Sequence, residues 1–219
     1  RVMLPHNTYG NFEGSHLVVQ LPAASHLRVG TVSANISATG LTGSLKVDTV
    51  SGEIKLQSKS ANLKAKSVSG NINVTGSARN ADIHANSISG EVNIKNIHGE
   101  LRGETVSGDI EIDGSNTLSG AKLDTTSGDI EMSAALGANG DYEFNSVSGD
   151  VKLRLPSIPR ASFDASSLSG GIMVNFGPAP QRTSEYGPGK EWHYQSGSGK
   201  AEIRIHTMSG DIRIHISAH

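Results

Sequence analysis

The feature that most constrains this chain is a six-residue pattern, Thr/Ser-x-Ser-Gly-Asp/Glu/Asn-Ile/Val, which recurs along its length. Complete copies run from TVSGEI at Thr49 to TMSGDI at Thr207, and a degenerate copy, TVSANI, begins at Thr31. We call the small residue in each copy position 0; it recurs at intervals of 18 to 21 residues, with one interval of 40. A sustained period of this length is typical of folds in which neighbouring units stack. Position 0 is occupied by Ala34, Gly52, Gly70, Gly90, Gly108, Gly128, Gly149, Gly170 and Gly210.

Apolar residues alternate with polar ones around position 0, as expected for half-buried strands. Positions −7, −5 and −3 share one phase, and positions −2, 0, +2 and +4 share the other. A strand changes phase only through a bend or bulge, so we expect a corner between positions −3 and −2. The apolar residues at −2 and +2 are then predicted to point inward, and the glycine to point inward or lie on the bend.

One repeat cannot bury its apolar face alone, whereas copies stacked about 4.8 Å apart can. The pattern therefore predicts an all-β, single-stranded β-solenoid (β-helix) with 18–21 residues per turn and roughly nine or ten turns. The apolar spacing differs from the six-residue period of left-handed hexapeptide coils, which favours a right-handed coil. We predict one domain over 1–219, with an irregular start at 1–26, regular repeats at 27–174, an irregular insertion at 175–200 and a final turn at 201–219.

Composition excludes several classes of protein. The net charge of −2 argues against a nucleic-acid binder. The chain has no cysteine, hence no disulfide and no thiolate metal site, and no apolar run approaches the roughly 18 residues of a membrane span. It begins at Arg1 rather than Met, so we expect an export signal in an upstream segment.

The sequence gives no reason to expect catalysis. Serine occupies position −1 in all nine repeats, whereas a nucleophile is needed once, beside a base. Repeated hydroxyls are better explained by hydrogen bonds to the backbone at the corner. No catalytic residue, metal ligand or cofactor site is predicted.

Two candidate surfaces remain. Position −6 is basic in most repeats, and stacking would turn it into a stripe suited to a polyanionic glycan or a lipid headgroup. Acidic residues at positions −4 and +1 leave open the alternative of a solvated surface of mixed charge. The residues of this basic stripe are Arg28, Lys46, Lys64, His84, Arg102 and Lys122.

The second candidate surface is the irregular segment, which contains the only tryptophan and three of the seven prolines. Prolines prevent it from continuing the strand ladder, so we expect it to project from the coil or fold over its C-terminal end, with a strand near 190–196. It is either a ligand or partner groove or a structural patch that covers the coil. Its candidate residues are Phe176, Arg182, Tyr186, Trp192, His193 and Tyr194.

The SVSGDI-type cores resemble a bacterial adhesin-like family of β-strand repeats, a domain of unknown function. The stretch that begins FGPAPQRTSEYGPGKEWHYQSGSGK at Phe176, and SHLVVQLPA near the start, look like one proteobacterial branch of that family. The resemblance implies a β-solenoid that is exported or anchored in the cell envelope, and it implies no catalytic residues.

The sequence as a whole indicates a non-catalytic β-solenoid of the cell envelope, periplasmic or on the cell surface, that acts as a binding or scaffold module. Its expected partners are an envelope glycan, another anionic polymer or a protein, with no nucleic acid among them. Two alternatives stay open: a polysaccharide-binding or polysaccharide-active β-helix, and a structural protein that forms homo-oligomers end to end through the solenoid ends.

Overall fold

The computed structural model describes residues 17–76, 78–184 and 187–217, and within these ranges every regular element is a β-strand. The strands are short because each repeat carries only one apolar stretch on either side of its corner. They are β1 Leu27–Thr31, β2 Ile36–Thr39, β3 Leu45–Thr49, β4 Ile54–Ser58, β5 Asn62–Lys66, β6 Ile72–Gly76, β7 Ala81–Asn86, β8 Val92–Lys95, β9 Gly99–Thr105, β10 Ile110–Thr125, β11 Ile130–Leu136, β12 Asp141–Ser146, β13 Val151–Leu155, β14 Ala161–Ser167, β15 Ile172–Val174, β16 Gln181–Arg182, β17 Lys190–Gln195, β18 Ala201–Thr207 and β19 Ile212–Ile216.

Each turn of the coil, which we call a rung, contributes one strand before its corner, the leading strand, and one strand after it. Equivalent strands pair in parallel and in register, so that Leu27 lies beside Leu45 and Ile36 beside Ile54. The long strand β10 serves two rungs, because its first half pairs with β8 and its second half with β9. The predicted all-β solenoid is thereby confirmed.

The core lies between the two stacks of strands and is filled by the apolar residues of the repeats. Ile110, Ile130 and Val151 stack at position +2 and are fully buried, as the repeat predicts. Larger side chains fill the later rungs, where Tyr142 is buried and donates its hydroxyl to the carbonyl of Leu118 at 2.6 Å. Burial of such columns is the main stabilising contribution in a coil of this kind.

The expectation that position −2 points inward is wrong. The hydroxyl residue at −3 takes the inward place, where Ser67 Oγ accepts a hydrogen bond from the amide of Gly70 at 2.8 Å. The bend that this bond closes turns position −2 outward, and Val68 is 38 % exposed. The phase change therefore falls between positions −2 and −1, one residue later than predicted, and it leaves an apolar residue in solvent.

The glycine column lies at closest approach between rungs. A Cβ on Gly108 would come within 2.2 Å of the carbonyl oxygen of Gly90, and a Cβ on Gly128 within 2.1 Å of that of Gly108. No side chain fits against backbone at that distance, which explains why the repeat keeps glycine there.

The rungs do not stack in chain order at the C-terminal end. Strands β12 and β13 pair with β18 and β19, and these in turn pair with β14 and β15. The last rung of the chain, residues 201–217, is thus inserted between the seventh and eighth. We call it the inserted rung.

The irregular segment folds over the end of the coil, as expected for a segment that cannot continue the ladder. Strand β17 pairs antiparallel with β14, which is the outermost strand of its stack, and β16 pairs with β17. Residues 190–195 therefore form the predicted strand, and they cover the C-terminal end of the leading strands.

Candidate functional site

Four aromatic rings meet beneath strand β17, and we call them the cap cluster: Phe163, Phe176, Trp192 and Tyr194. Their centroids lie 5.4 to 6.3 Å apart in edge and stacked arrangements that favour aromatic contact. Trp192 is only 2 % exposed, and its indole nitrogen donates to the carbonyl of Pro178 at 2.8 Å. The cluster thus joins the irregular segment to the core of the coil.

The other residues predicted for this surface are dispersed. His193 lies on the outer face of β17, where its Nδ1 is 3.3 Å from Asp164 and its Nε2 is 3.8 Å from Glu191. Arg182 is exposed on β16. Tyr186 lies outside the described residues. The structure therefore brings together Phe176, Trp192 and Tyr194, with Trp192 buried and the other two half-buried, and leaves the charged candidates on the surface.

The basic stripe is in register from Arg28 to Lys122, as stacking requires. Its later members are paired: His84 with Asp82 at 3.0 Å, Arg102 with Glu100 at 2.9 Å and Lys122 with Glu143 at 3.0 Å. Among the described residues its first three members have no carboxylate within ion-pair distance. These unpaired cations are Arg28, Lys46 and Lys64.

The acidic residues at position +1 have a structural role that sequence reasoning missed. The Oδ1 atom of Asp109 accepts the amide of Asp129 at 2.8 Å, and that of Asp129 accepts the amide of Asp150 at 2.9 Å. The chain of bonds runs on through Asp150 to Asp211. Asn71 accepts the same bond from the amide of Glu91, so what the Asp and Asn residues of position +1 share is a side-chain oxygen rather than a charge. The mixture of Asp and Asn in one column was the signal.

The pKa values of several ionisable groups around the seventh and inserted rungs differ from their ordinary values. Hydrogen bonds from Asn145 and Lys122 lower the pKa of Glu143, and the same contact with Glu143 raises the pKa of Lys122. Partial burial on its own would raise the pKa of Asp150, but the amide of Asp211 and the Arg213 guanidinium outweigh it and lower the pKa. Burial raises the pKa of the Tyr142 hydroxyl. These pKa shifts are of the kind that structural contacts between rungs produce.

A further surface was missed because position −2 was expected to be buried. The position −2 residues form a straight exposed line that we call the aliphatic ridge. A shallow groove of about 700 Å³ runs beside the ridge, between it and the polar side chains of position −4, such as Asn86 and Glu104. The ridge consists, in spatial order, of Val32, Val50, Val68, Ile88, Val106, Thr126, Val147, Met208 and Leu168.

Within the described ranges, no three His, Cys, Asp or Glu side chains are placed to hold a metal ion, and no helix is long and apolar enough to cross a membrane. The arrangement defines a class, a single-stranded β-solenoid with a filled aliphatic core and long lateral surfaces. The chain belongs to the Toastrack DUF4097 family, whose model matches residues 2–215. The domain of that family is of unknown function, in agreement with the resemblance inferred from the repeat cores. No curated protein and no solved structure gives a significant match.

Proposed function

We propose that the protein is a non-catalytic β-solenoid module of the bacterial cell envelope, adhesin-like in its use of a long lateral surface, that binds an anionic polymer. The observation that carries the proposal is the row of unpaired cations at the start of the basic stripe. A solenoid holds such groups at a fixed spacing of about 4.8 Å, which suits a ligand with regularly repeated negative charges.

The environment of this row differs from that of the rest of the stripe. Arg28 and Lys64 are exposed. Lys66 follows Lys64 by two residues on strand β5, and it also lacks a carboxylate partner among the described residues. Farther along the coil every member of the stripe is held by a carboxylate. Ion pairs of that exposed kind contribute little stability, so their absence from the first three rungs leaves positive charge available to a ligand at little cost to the fold.

The ligand class follows from the chemistry of the row. Uronic acid or phosphate groups of an envelope polymer, or the headgroups of anionic lipids, offer the acceptors that Arg and Lys bind. The attraction would be largely electrostatic, so binding should weaken steeply as salt is added.

The test is binding to immobilised polygalacturonate and to phosphatidylglycerol vesicles. The triple variant Arg28→Glu, Lys46→Glu, Lys64→Glu should bind neither surface, while its thermal stability stays close to that of the parent chain. The matched control is Lys55→Glu, Lys59→Glu, Lys95→Glu, which changes the net charge equally in the same half of the coil but outside the stripe. Equal loss in both triple variants, or binding that does not respond to salt, would contradict the proposal.

The end-to-end alternative is restricted by the described structure. Strand β17 covers the leading strands at the C-terminal end, whereas β1 and β2 each have one pairing edge without a partner among the described residues. At the C-terminal end β15 likewise has one pairing edge without a partner among the described residues, so end-to-end assembly through both ends stays an alternative.

A further inference from the structure

The exposed apolar surface of the described chain is concentrated in one line. Of fourteen large apolar side chains that are exposed, eight belong to the aliphatic ridge. Their exposed fractions range from 38 % at Val68 to 71 % at Val32. Backbone bonds from one corner to the next, such as Ser51 N to Val32 O and Ser107 N to Ile88 O at 2.9 Å, fix neighbouring residues of the ridge beside each other.

The fold does not require aliphatic residues on this ridge. Thr126 occupies the same place in the sixth rung, where Ser127 N still bonds to Val106 O, and Ser148 N of the seventh rung bonds to Thr126 O. A polar side chain is thus compatible with the corner. Continuous apolar lines of this size on a soluble surface mark sites where another molecule docks.

The charge of the coil is divided along its axis. Residues 17–98 carry eight Lys and Arg against four Asp and Glu, whereas residues 99–217 carry ten against sixteen. The first four rungs are therefore positive and the remaining ones negative. Two copies that lie side by side and antiparallel would place each positive half against a negative half.

We propose that the aliphatic ridge is the interface of an antiparallel homodimer. A second copy is the partner that matches the ridge over its whole length, because it presents the same side chains at the same spacing. The interface is isologous, with the two-fold axis at the middle rung, beside Val106. The proposal does not depend on the ligand of the basic stripe, which lies four residues before the ridge in each rung.

The size of the ridge fits such a dimer. Nine rungs at about 4.8 Å give a strip roughly 40 Å long. An interface of standard size takes about 800 Å² from each partner, so a strip of this length must be about 20 Å wide and include the rows at positions −4 and −1 beside the ridge. The serine row at position −1 borders the ridge with small side chains, so that the second copy can approach closely.

A lipid surface fits the ridge less well than a second copy. Glu104 and Asp124 stand in the row next to the ridge at its centre, and each accepts a hydrogen bond from an asparagine of a neighbouring rung, at 2.6 and 2.7 Å. Anionic headgroups would be repelled along this row. In the dimer Asp124 instead faces the fourth rung of the second copy, which carries Asn86 in the same row, and each Glu104 beside the axis keeps its hydrogen bond from Asn86.

Sedimentation of the purified chain at increasing concentration tests the dimer. The parent chain should dimerise, and Ile88→Glu should weaken the dimer by roughly 100-fold, since a charge at the centre of an apolar interface loses its hydration. Ile158→Glu is the matched control, because Ile158 is exposed to nearly the same extent, 46 % against 49 %, but lies in a loop away from the ridge. A parent chain that stays monomeric, whatever else its ridge binds, overturns the proposal, as does equal dissociation in the two variants.

Single cysteines test the orientation, since the chain has none of its own. Val106→Cys should oxidise to a disulfide-linked dimer, because the two-fold axis brings its two copies together. Val32→Cys alone should stay unlinked, and a mixture of Val32→Cys with Leu168→Cys should give the mixed dimer. Efficient linkage of Val32→Cys to itself would mean a parallel arrangement or an N-terminal end-to-end contact, and would overturn the antiparallel dimer.

Discussion

A hydrogen atom is the largest side chain that the corner accepts in the rungs after the first, because each glycine of the column faces the carbonyl oxygen of the corresponding residue in the neighbouring rung. Gly108→Ala should therefore lower the free energy of unfolding by about 1–3 kcal/mol, the usual range for overpacking against groups that cannot move aside. Urea denaturation measures the change.

Gly30→Ala is the matched control for this prediction. Gly30 also lies on a strand, but a Cβ there meets nothing within 4 Å. Its replacement should leave stability unchanged or raise it by about 0.5–1 kcal/mol, because alanine reduces the freedom of the unfolded chain. Similar losses in the two variants would mean that backbone contact between corners is not the cause.

The lowered pKa of Asp150 predicts how the protein responds to acid. A carboxyl whose pKa is lower in the folded than in the unfolded state stabilises the fold above its ordinary pKa of 3.8, and this stabilisation is lost as the pH falls through the folded value. The parent chain should lose stability below about pH 5, and Glu143 should add to the loss in the same direction.

Asp150→Asn separates the charge from the hydrogen bond. The amide oxygen can still accept the Asp211 amide, but the side chain no longer titrates. Thermal melts across the acid range should show a shallower loss of stability than in the parent chain, with lower stability at neutral pH because the bond to Arg213 is weakened. Parallel pH profiles for the two chains would show that Asp150 has no linked proton.

At the scale of single elements, strand β17 depends on one side chain. Trp192→Ala should lower the free energy of unfolding by about 3–5 kcal/mol, as expected for a buried aromatic residue. His193→Ala on the same strand is the control and should cost less than about 0.5 kcal/mol, because His193 lies at the surface. A Trp192→Ala chain with an unchanged melt and weakened ligand binding would instead support a recognition site in the irregular segment.

Most strands could be predicted from the sequence because each repeat contains its own copy of the pattern that forms them. The burial of Ile130 follows from its column alone. The exposure of Val68 could not be predicted in this way, since a valine that follows a strand and precedes another is expected to be buried. The outward turn of Val68 is a property of the bend, which in this rung also brings the Gly70 amide to Ser67, rather than of residue polarity.

The candidate surfaces, like the strands, could be predicted from the sequence only in part. The register of the basic stripe followed from the repeat, but the lack of an ion pair at Lys46, with Asp48 two residues away on the same strand, depends on side-chain positions that spacing does not give. A strand near 190–196 places Trp192 and Tyr194, two residues apart, on one face, yet only the antiparallel pairing of β17 shows that this face is turned to the core. Spacing predicts which residues share a face; the topology determines where the face points.

At the scale of the whole molecule, the order of the rungs was beyond prediction. Gly149 contacts the inserted rung through Gly210, and Gly210 contacts Gly170, with the same close approach that joins consecutive rungs elsewhere. Because every corner is alike, the repeat is compatible with stacking in chain order and with the order observed. The 40-residue interval before Gly210 supplies the length of chain needed to cross the end and return.

This order predicts an unusual response to truncation. A chain that ends at Gly199 lacks the inserted rung, so that the eighth rung loses its parallel neighbour while remaining tethered to the seventh by residues 156–160. Rungs of a solenoid are stabilised chiefly by contacts with their neighbours, so both the eighth rung and strand β17 should lose protection from hydrogen exchange. The first six rungs should keep theirs.

The matched control is a chain that begins at Leu45 and lacks the first rung. Its removal leaves all other contacts between rungs intact and should expose only the next pair of strands. If residues 161–167 stay protected in the chain that ends at Gly199, the eighth rung can stack directly on the seventh, and the inserted position of the last rung is not required for the stability of this end.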